Sequence, residues 1–482
     1  MFFLAELNGL LLWATDVGNA YLESLTGERI VFRAGPEFGE KEGHLMKVYK
    51  ALYGLKSSSA RWHERCADIL RDMGFVSSKA DPDIWMRDKG DQYEYIGVYV
   101  DDLAIASRDP QKIIDCLLND HKLKLKGTGP LTYHLGCDYF RDKTGVLCGS
   151  PRTYVEKLIG AYERMFGVKP RMTYASPIEK GDHPELDTSP LLDDQGIMKY
   201  QSMLGALQWV VSIGRIDVAT AVMSMGSFRV APREGHLQRL RRIYGYLARM
   251  KHGTIRYRTD QPDYSQIEVQ DFDWKQSVYG NVSEMIPKNS PKALGKSVTQ
   301  TTYVDANLLH NLATGHSVTG VLHLLNQTPV DYYSKKQATV ETSTYGSEFV
   351  AARTAVQQIQ DIRLMLRYLG VPIEGRAYLF GDNEAVVKSG SIPYSRLSKR
   401  HIALSYHYVR EVIASGMVAF VHIPGDQNPA DILSKHWGYS VVWPMLKPLL
   451  FYEGDTAKIL LETKPVQKTE KKKPKEPTSK SD

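Results

Sequence analysis

Long hydrophobic runs are missing from this 482-residue chain. Stretches such as LLLWA at 10–14 are far too short to cross a bilayer, so no membrane partner is expected. Cysteine is scarce. The four residues Cys66, Cys116, Cys137 and Cys148 are widely spaced, with no CxxC pair. That argues against a disulfide framework and a thiolate zinc site, and for reduced thiols in an intracellular protein. A secretory leader is not expected, because the apolar start has no basic region and carries Glu6 and Asn8. Excess charge is also small. The net charge is +6, and the last twenty residues hold seven lysines against three acids, which leaves the body nearly neutral. Bulk charge therefore says little about nucleic acid, and local clusters matter more. No repeat of 20 to 50 residues is visible.

What is present is three compact blocks separated by polar stretches. Residues 1–170 mix helical patterns (ARWHERCADILRDMGF) with short apolar strands (YIGVYV, LAIAS). Residues 171–296 contain two amphipathic segments, YQSMLGALQWVVSI and HLQRLRRIYGYLARM, flanked by a proline- and acid-rich linker at 173–196 and a second polar linker at 277–297. Residues 297–440 alternate strands (TTYVDA, VTGVLHLL, VDYYSKK, AYLFGD, MVAFVHI) with a long helix ending at Gly370 and another through HYVREVIA. The tail at 463–482 has the composition of a disordered basic segment. The pattern predicts an α+β unit followed by an α/β unit.

Within YEYIGVYVDDLAIAS, two adjacent carboxylates, Asp101 and Asp102, interrupt an apolar run. They suit a hairpin turn, which aspartate favours, and they equally suit a metal site. A third carboxylate, Asp16, follows another strand-like run in LLLWATDVGNAYLES. Three carboxylates at strand ends can hold two hard divalent ions, which activate a hydroxyl and stabilise a leaving pyrophosphate.

YVDD between apolar runs, DVGNAYL before it and YKALYGLKSSSARWHE between the two resemble the reverse transcriptases of Ty1/copia-type LTR retrotransposons, over about residues 10–440. The resemblance implies a right-hand polymerase (palm, remnant fingers, helical thumb/connector) followed by a ribonuclease H-like domain. It implies Asp16, Asp101 and Asp102 as metal ligands. Tyr21 would lie under the incoming sugar, with a core tyrosine as the alternative. Lys56 and Ser57 would contact the nucleotide, and Leu135 and Gly136 would grip the primer end. The family usually reads DVKTAFL where this chain reads DVGNAYL. It also carries a further fingers segment before the first aspartate, where this chain has fifteen residues, so reduced fingers are expected.

A second ordered carboxylate set follows: Asp305 at a strand end, Glu348 on the long helix, Asp382 at a strand end and Asp431 at a helix start. Each alone has a plainer role, as a helix cap or a solvated face. Together they resemble the ribonuclease H set of the same family, which implies two Mg2+ ions per site, with Mn2+ as an alternative. His422 lies nearest the position of a product-release histidine, and a plain strand histidine is the competing reading. The implied partners are an RNA template, a DNA primer, an RNA–DNA hybrid and dNTPs. Arg239, Arg241, Arg242, Arg249 and Lys251, with no acid among them, fit either a phosphate-tracking face or the solvated side of an amphipathic helix.

Overall fold

The computed structural model describes residues 1–397 and 399–452, so the tail at 463–482 lies outside the described residues. The chain opens with helix α1 (Phe2–Asn8), which runs into strand β1 (Leu11–Val17). A small hairpin, β2 (Val31–Arg33) and β3 (Leu45–Lys47), precedes helix α2 (Ser58–Asp72). Strands β4 (Val76–Ser77), β5 (Ile84–Asp88), β6 (Tyr93–Tyr99) and β7 (Asp102–Ser107), helix α3 (Pro110–Asn119) and strand β8 (Leu125–Pro130) follow. They form a six-stranded sheet in the order β4-β5-β6-β7-β1-β8. Helices α2 and α3 bury Trp62, Ile69, Leu70, Ile113 and Leu117 against this sheet. Their apolar residues recur at three- and four-residue spacing, which gives each helix one buried face.

Strands β9 (Tyr133–His134), β10 (Cys137–Arg141), β11 (Leu147–Ser150) and β12 (Ile255–Arg256) make a four-stranded sheet. Helices α4 (Arg152–Phe166), α5 (Asp194–Ser212), α6 (Ala219–Gly226) and α7 (Glu234–Arg249) lie between β11 and β12 in the chain and share one core. The middle block thus returns a strand to the first.

The last unit contains β13 (Gln300–Asn307), β14 (Val318–Leu325), β15 (Thr328–Lys336), α8 (Thr344–Tyr368), β16 (Ala377–Gly381), α9 (Glu384–Ser391), α10 (Ala403–Ala414) and β17 (Val418–His422). Its sheet order is β15-β14-β13-β16-β17, with β13, β16 and β17 parallel. Helix α8 packs on one face of this mixed sheet. Two short elements close the chain: α11 (Asp431–Ser434) and α12 (Tyr439–Leu450). Helix α12 does not stand out in the sequence pattern. It buries Val442, Trp443 and Leu446 in the core of the α4–α7 helices. The expected arrangement of an α+β unit, a helical middle block and an α/β unit is therefore present.

Candidate active sites

The parallel pairing of β13 and β16 sets Val304 beside Gly381. Asp305 and Asp382 therefore emerge at neighbouring carboxyl ends of strands, where ligand sites of open α/β sheets form. Asp431 reaches the same point from α11. Asp305, Asp382 and Asp431 each offer an oxygen within 4.8 Å of the others. Glu348, on the second turn of α8, faces them. Burial, then the charges of Asp305 and Asp382, pushes its carboxyl well above the ordinary range. Burial and Asp305 likewise raise Asp382, and lift Asp431 to about 6. Each of these three acids has its pKa raised by burial and by like charge. Such a donor set fits hard divalent ions, and among the described residues no thiol or imidazole joins the cluster.

Three features hold α11 against the sheet. Gly320 is the cross-strand partner of Asp305. A Cβ there would stand 2.7 Å from the Ala430 carbonyl and 2.8 Å from the Ser434 nitrogen, so only glycine admits this approach. Buried Asn428 donates to the Val304 carbonyl at 2.9 Å and accepts from Ala430 N–H at 3.1 Å. The Ser434 hydroxyl donates to the Asp305 carboxylate. The motif reading missed Gly320, Asn428, Ser434 and Lys435. Only Lys435 left a sequence signal, its four-residue spacing from Asp431. Lys435 Nζ lies 2.6 Å from Asp431 and 3.5 Å from Asp305. His422 is exposed at the end of β17 and donates from Nε2 to the Asp382 carbonyl at 3.2 Å.

The first unit carries the other carboxylates. Asp16 on β1 is the cross-strand partner of Asp102 on β7. Tyr99 pairs with Asp102, so Val100 and Asp101 form a two-residue turn. Val100 has φ 57°, a left-handed value that costs a β-branched residue about 1–3 kcal/mol. The buried Trp62 indole N–H donates to the Val100 carbonyl, and the Val17 N–H donates to Asp101 O at 2.8 Å. These bonds hold the turn against β1. Burial, opposed by His134 and reinforced by Asp101 and Asp16, raises Asp102. Among the described residues, the only carboxylate triad drawn to within 4.8 Å is the one in the last unit. Asp16, Asp101 and Asp102 share one end of the sheet at wider spacing.

Around them, the Tyr21 ring lies 4.5 Å from that of Tyr53. Ser57 N–H and hydroxyl donate to Glu28, while Lys56 is exposed beside it. Leu135 (φ 48°) and Gly136 (φ 93°) form the tight turn between β9 and β10. That turn packs under Trp209 and puts His134 next to Asp102.

The cations of α7 are not an open face. Arg239 holds Asp182 at 2.7 Å and Asp187 at 2.6 Å. Arg242 holds Glu179 at 2.6 Å, Lys251 holds Glu156 at 3.0 Å, and Arg249 donates to the Thr173 carbonyl. Arg241 covers the Phe166 ring at 4.3 Å. The acidic stretch near 173–187 folds back over the helix, so Arg239 and Arg242 meet carboxylates there.

The chain thus carries one carboxylate group at a sheet end of its first unit and a tighter one in its last. Residues 2–179 match the family described as Reverse transcriptase (RNA-dependent DNA polymerase). The retrovirus-related Pol polyprotein from transposon RE1 of Arabidopsis thaliana is 28% identical over 423 residues, 87% of this chain and 26% of that protein. The one from transposon RE2 of the same plant is 26% identical over 87% of this chain and 26% of its own length. The chain thus spans about a quarter of these relatives. Among solved structures, the foamy viral protease-reverse transcriptase in complex with RNA/DNA hybrid aligns over 87% of this chain and 66% of that chain, at 12% identity and a TM-score of 0.26.

Proposed function

We propose that this chain is an RNA-directed DNA polymerase whose last unit cleaves the RNA strand of an RNA–DNA hybrid, each site using Mg2+ or Mn2+. The observation that carries the reading is the convergence of Asp305, Asp382 and Asp431 on one point, with Glu348 facing them. In the last unit, Asp305, Glu348, Asp382 and Asp431 would hold the ions. Bound divalent ions supply a Lewis acid and a water acidified enough to attack a phosphodiester. The chain's own part is positional. The ends of β13 and β16 fix Asp305 and Asp382. Asn428, Gly320 and Ser434 fix Asp431, and α8 presents Glu348 from the side.

In the first unit, Asp16, Asp101 and Asp102 would hold the ions that serve a primer hydroxyl and a dNTP. Tyr21 would lie under the sugar, Lys56 and Ser57 near the nucleotide, and the Leu135–Gly136 turn against the primer. The proposed division is palm with remnant fingers at 1–170, thumb/connector at 171–296 and ribonuclease H-like unit at 297–440. The test is cleavage of a labelled RNA–DNA hybrid in Mg2+. The wild type should cut the RNA strand, and Glu348→Gln should slow cutting by roughly a hundredfold or more, as loss of a charge-stabilising group does. Equal cutting by both would reject the site.

A second reading keeps only the ribonuclease. It is favoured by the wider spacing of Asp16, Asp101 and Asp102 relative to the compact triad. Hybrid cleavage without primer extension would support it.

A further inference from the structure

Lys435 has no part in the functional reading so far, yet it is the cation placed closest to the carboxylate cluster. Its ammonium lies 2.6 Å from Asp431 Oδ1 and 3.5 Å from Asp305 Oδ2, reaching back from just beyond α11. It is also the cation that opposes the mutual repulsion of the acids: its charge acts on Glu348, Asp382 and Asp431 together. The Asp305 side chain is only 2% exposed, whereas that of Lys435 is 38% exposed. The lysine stem therefore runs in from solvent and its head can withdraw along the same path. Asp305 keeps its second anchor, the Ser434 hydroxyl, when the ammonium leaves.

We infer that Lys435 is a tethered monovalent cation that fills the carboxylate cluster before a divalent ion does, and that the ion must displace it to bind. The inference rests on the metal-site reading of Asp305, Glu348, Asp382 and Asp431. It adds a residue that sets how tightly and how selectively that site takes an ion. One positive charge neutralises part of the repulsion among the acids, so the empty site stays folded. The same charge repels an incoming divalent ion and competes for the oxygens of Asp305 and Asp431. The site is then stable when empty and binds its ion more weakly than the acids alone would.

The test uses the whole chain without nucleic acid. Mn2+ binding is followed by calorimetry, and thermal unfolding is recorded in EDTA and in saturating Mn2+. Wild type, Lys435→Gln, Lys435→Met, Lys435→Arg and Asp305→Asn are compared. Lys435→Gln and Lys435→Met should bind Mn2+ roughly tenfold more tightly, because a repelling charge is gone. Their midpoints should fall in EDTA and recover in Mn2+, so that the gap between the two conditions widens. Lys435→Arg, which keeps the charge, should stay near wild type. A lysine with a merely structural role would lower both midpoints equally and leave the gap unchanged. Affinity that is unchanged or weaker in both neutral variants, with Asp305→Asn still abolishing binding, would overturn the role of Lys435 and leave the metal site standing. Binding that survives Asp305→Asn would overturn the metal site and this inference with it.

Discussion

Tyr95 Oη donates to the Leu369 carbonyl at 2.9 Å. That bond ties β6, the strand leading into Asp101, to the C-terminal end of α8, the helix whose N-terminal turns carry Glu348. Tyr93, Leu366, Leu369 and Val371 pack around it in a core that also takes in α1. The two candidate sites are therefore braced by one shared apolar interface.

The tightest point of that interface is Gly370. It has φ 69°, and a Cβ there would stand 2.3 Å from the Tyr93 ring. Gly370→Ala should cost about 2–4 kcal/mol, from left-handed strain plus overpacking. Urea unfolding followed by fluorescence and by circular dichroism should show the loss in both signals together. A loss confined to one signal would mean the units unfold separately.

Trp62 buttresses the turn that carries Asp101. Trp62→Phe removes the indole N–H donated to the Val100 carbonyl and part of a buried ring, at a cost of about 1–3 kcal/mol. Primer extension should fall by roughly tenfold or more, since the strained turn loses its tie. Hybrid cleavage should be unchanged, and parallel assays on one preparation would show the split.

Gly320→Ala should do the reverse. The new methyl would meet Ala430 O and Ser434 N, pushing α11 and Asp431 away from Asp305. Hybrid cleavage should drop by about a hundredfold, because a displacement of about 1 Å is enough to cost that much. Extension should persist.

How much of this was legible beforehand differs from site to site. Asp305, Glu348 and Asp382 stand out because each sits at the end of an apolar strand or on a long periodic helix, and Asp431 because it opens a short helix; such positions are set by local pattern. Gly370 as the end of α8 was legible for the same reason. Gly320 and Asn428 were not, since their roles arise from contacts of β14 and β13 with the chain around α11, more than a hundred residues away. The basic stripe on α7 read as an open face because nothing local reveals that Asp182, Asp187 and Glu179 fold back onto it. Helix α12 escaped notice because Pro444 and Pro448 mask its period.

A half-buried histidine pair offers a pH test. The rings of His310 and His436 lie 4.8 Å apart, and Ser224 sits 3.4 Å from each Nε2. They meet His183, Glu185, Asp182 and Arg239 from the acidic linker and α7. Burial, then the neighbouring His310, depresses His436 to about 3, and burial also lowers His310. Both are neutral when folded, whereas the unfolded chain takes up protons near pH 6.5. Stability should therefore fall as pH drops from about 6.5 towards 3, by roughly 1–2 kcal/mol at pH 5 for His436. Asp431 works in the opposite sense. Its raised pKa means that stability is lost as pH rises from about 4 to about 6 in the absence of metal. Denaturation series at several pH values should flatten the first slope in His436→Gln and the second in Asp431→Asn.

The most direct test of the account is one reaction in which a labelled RNA template, a DNA primer, dNTPs and Mg2+ meet three proteins: wild type, Asp101→Asn/Asp102→Asn and Asp305→Asn. Extension and template cleavage are read from the same lane. The account predicts both activities in the wild type, loss of extension alone in the first variant and loss of cleavage alone in the second. Cleavage that survives Asp305→Asn, or extension that survives the double change, would contradict it.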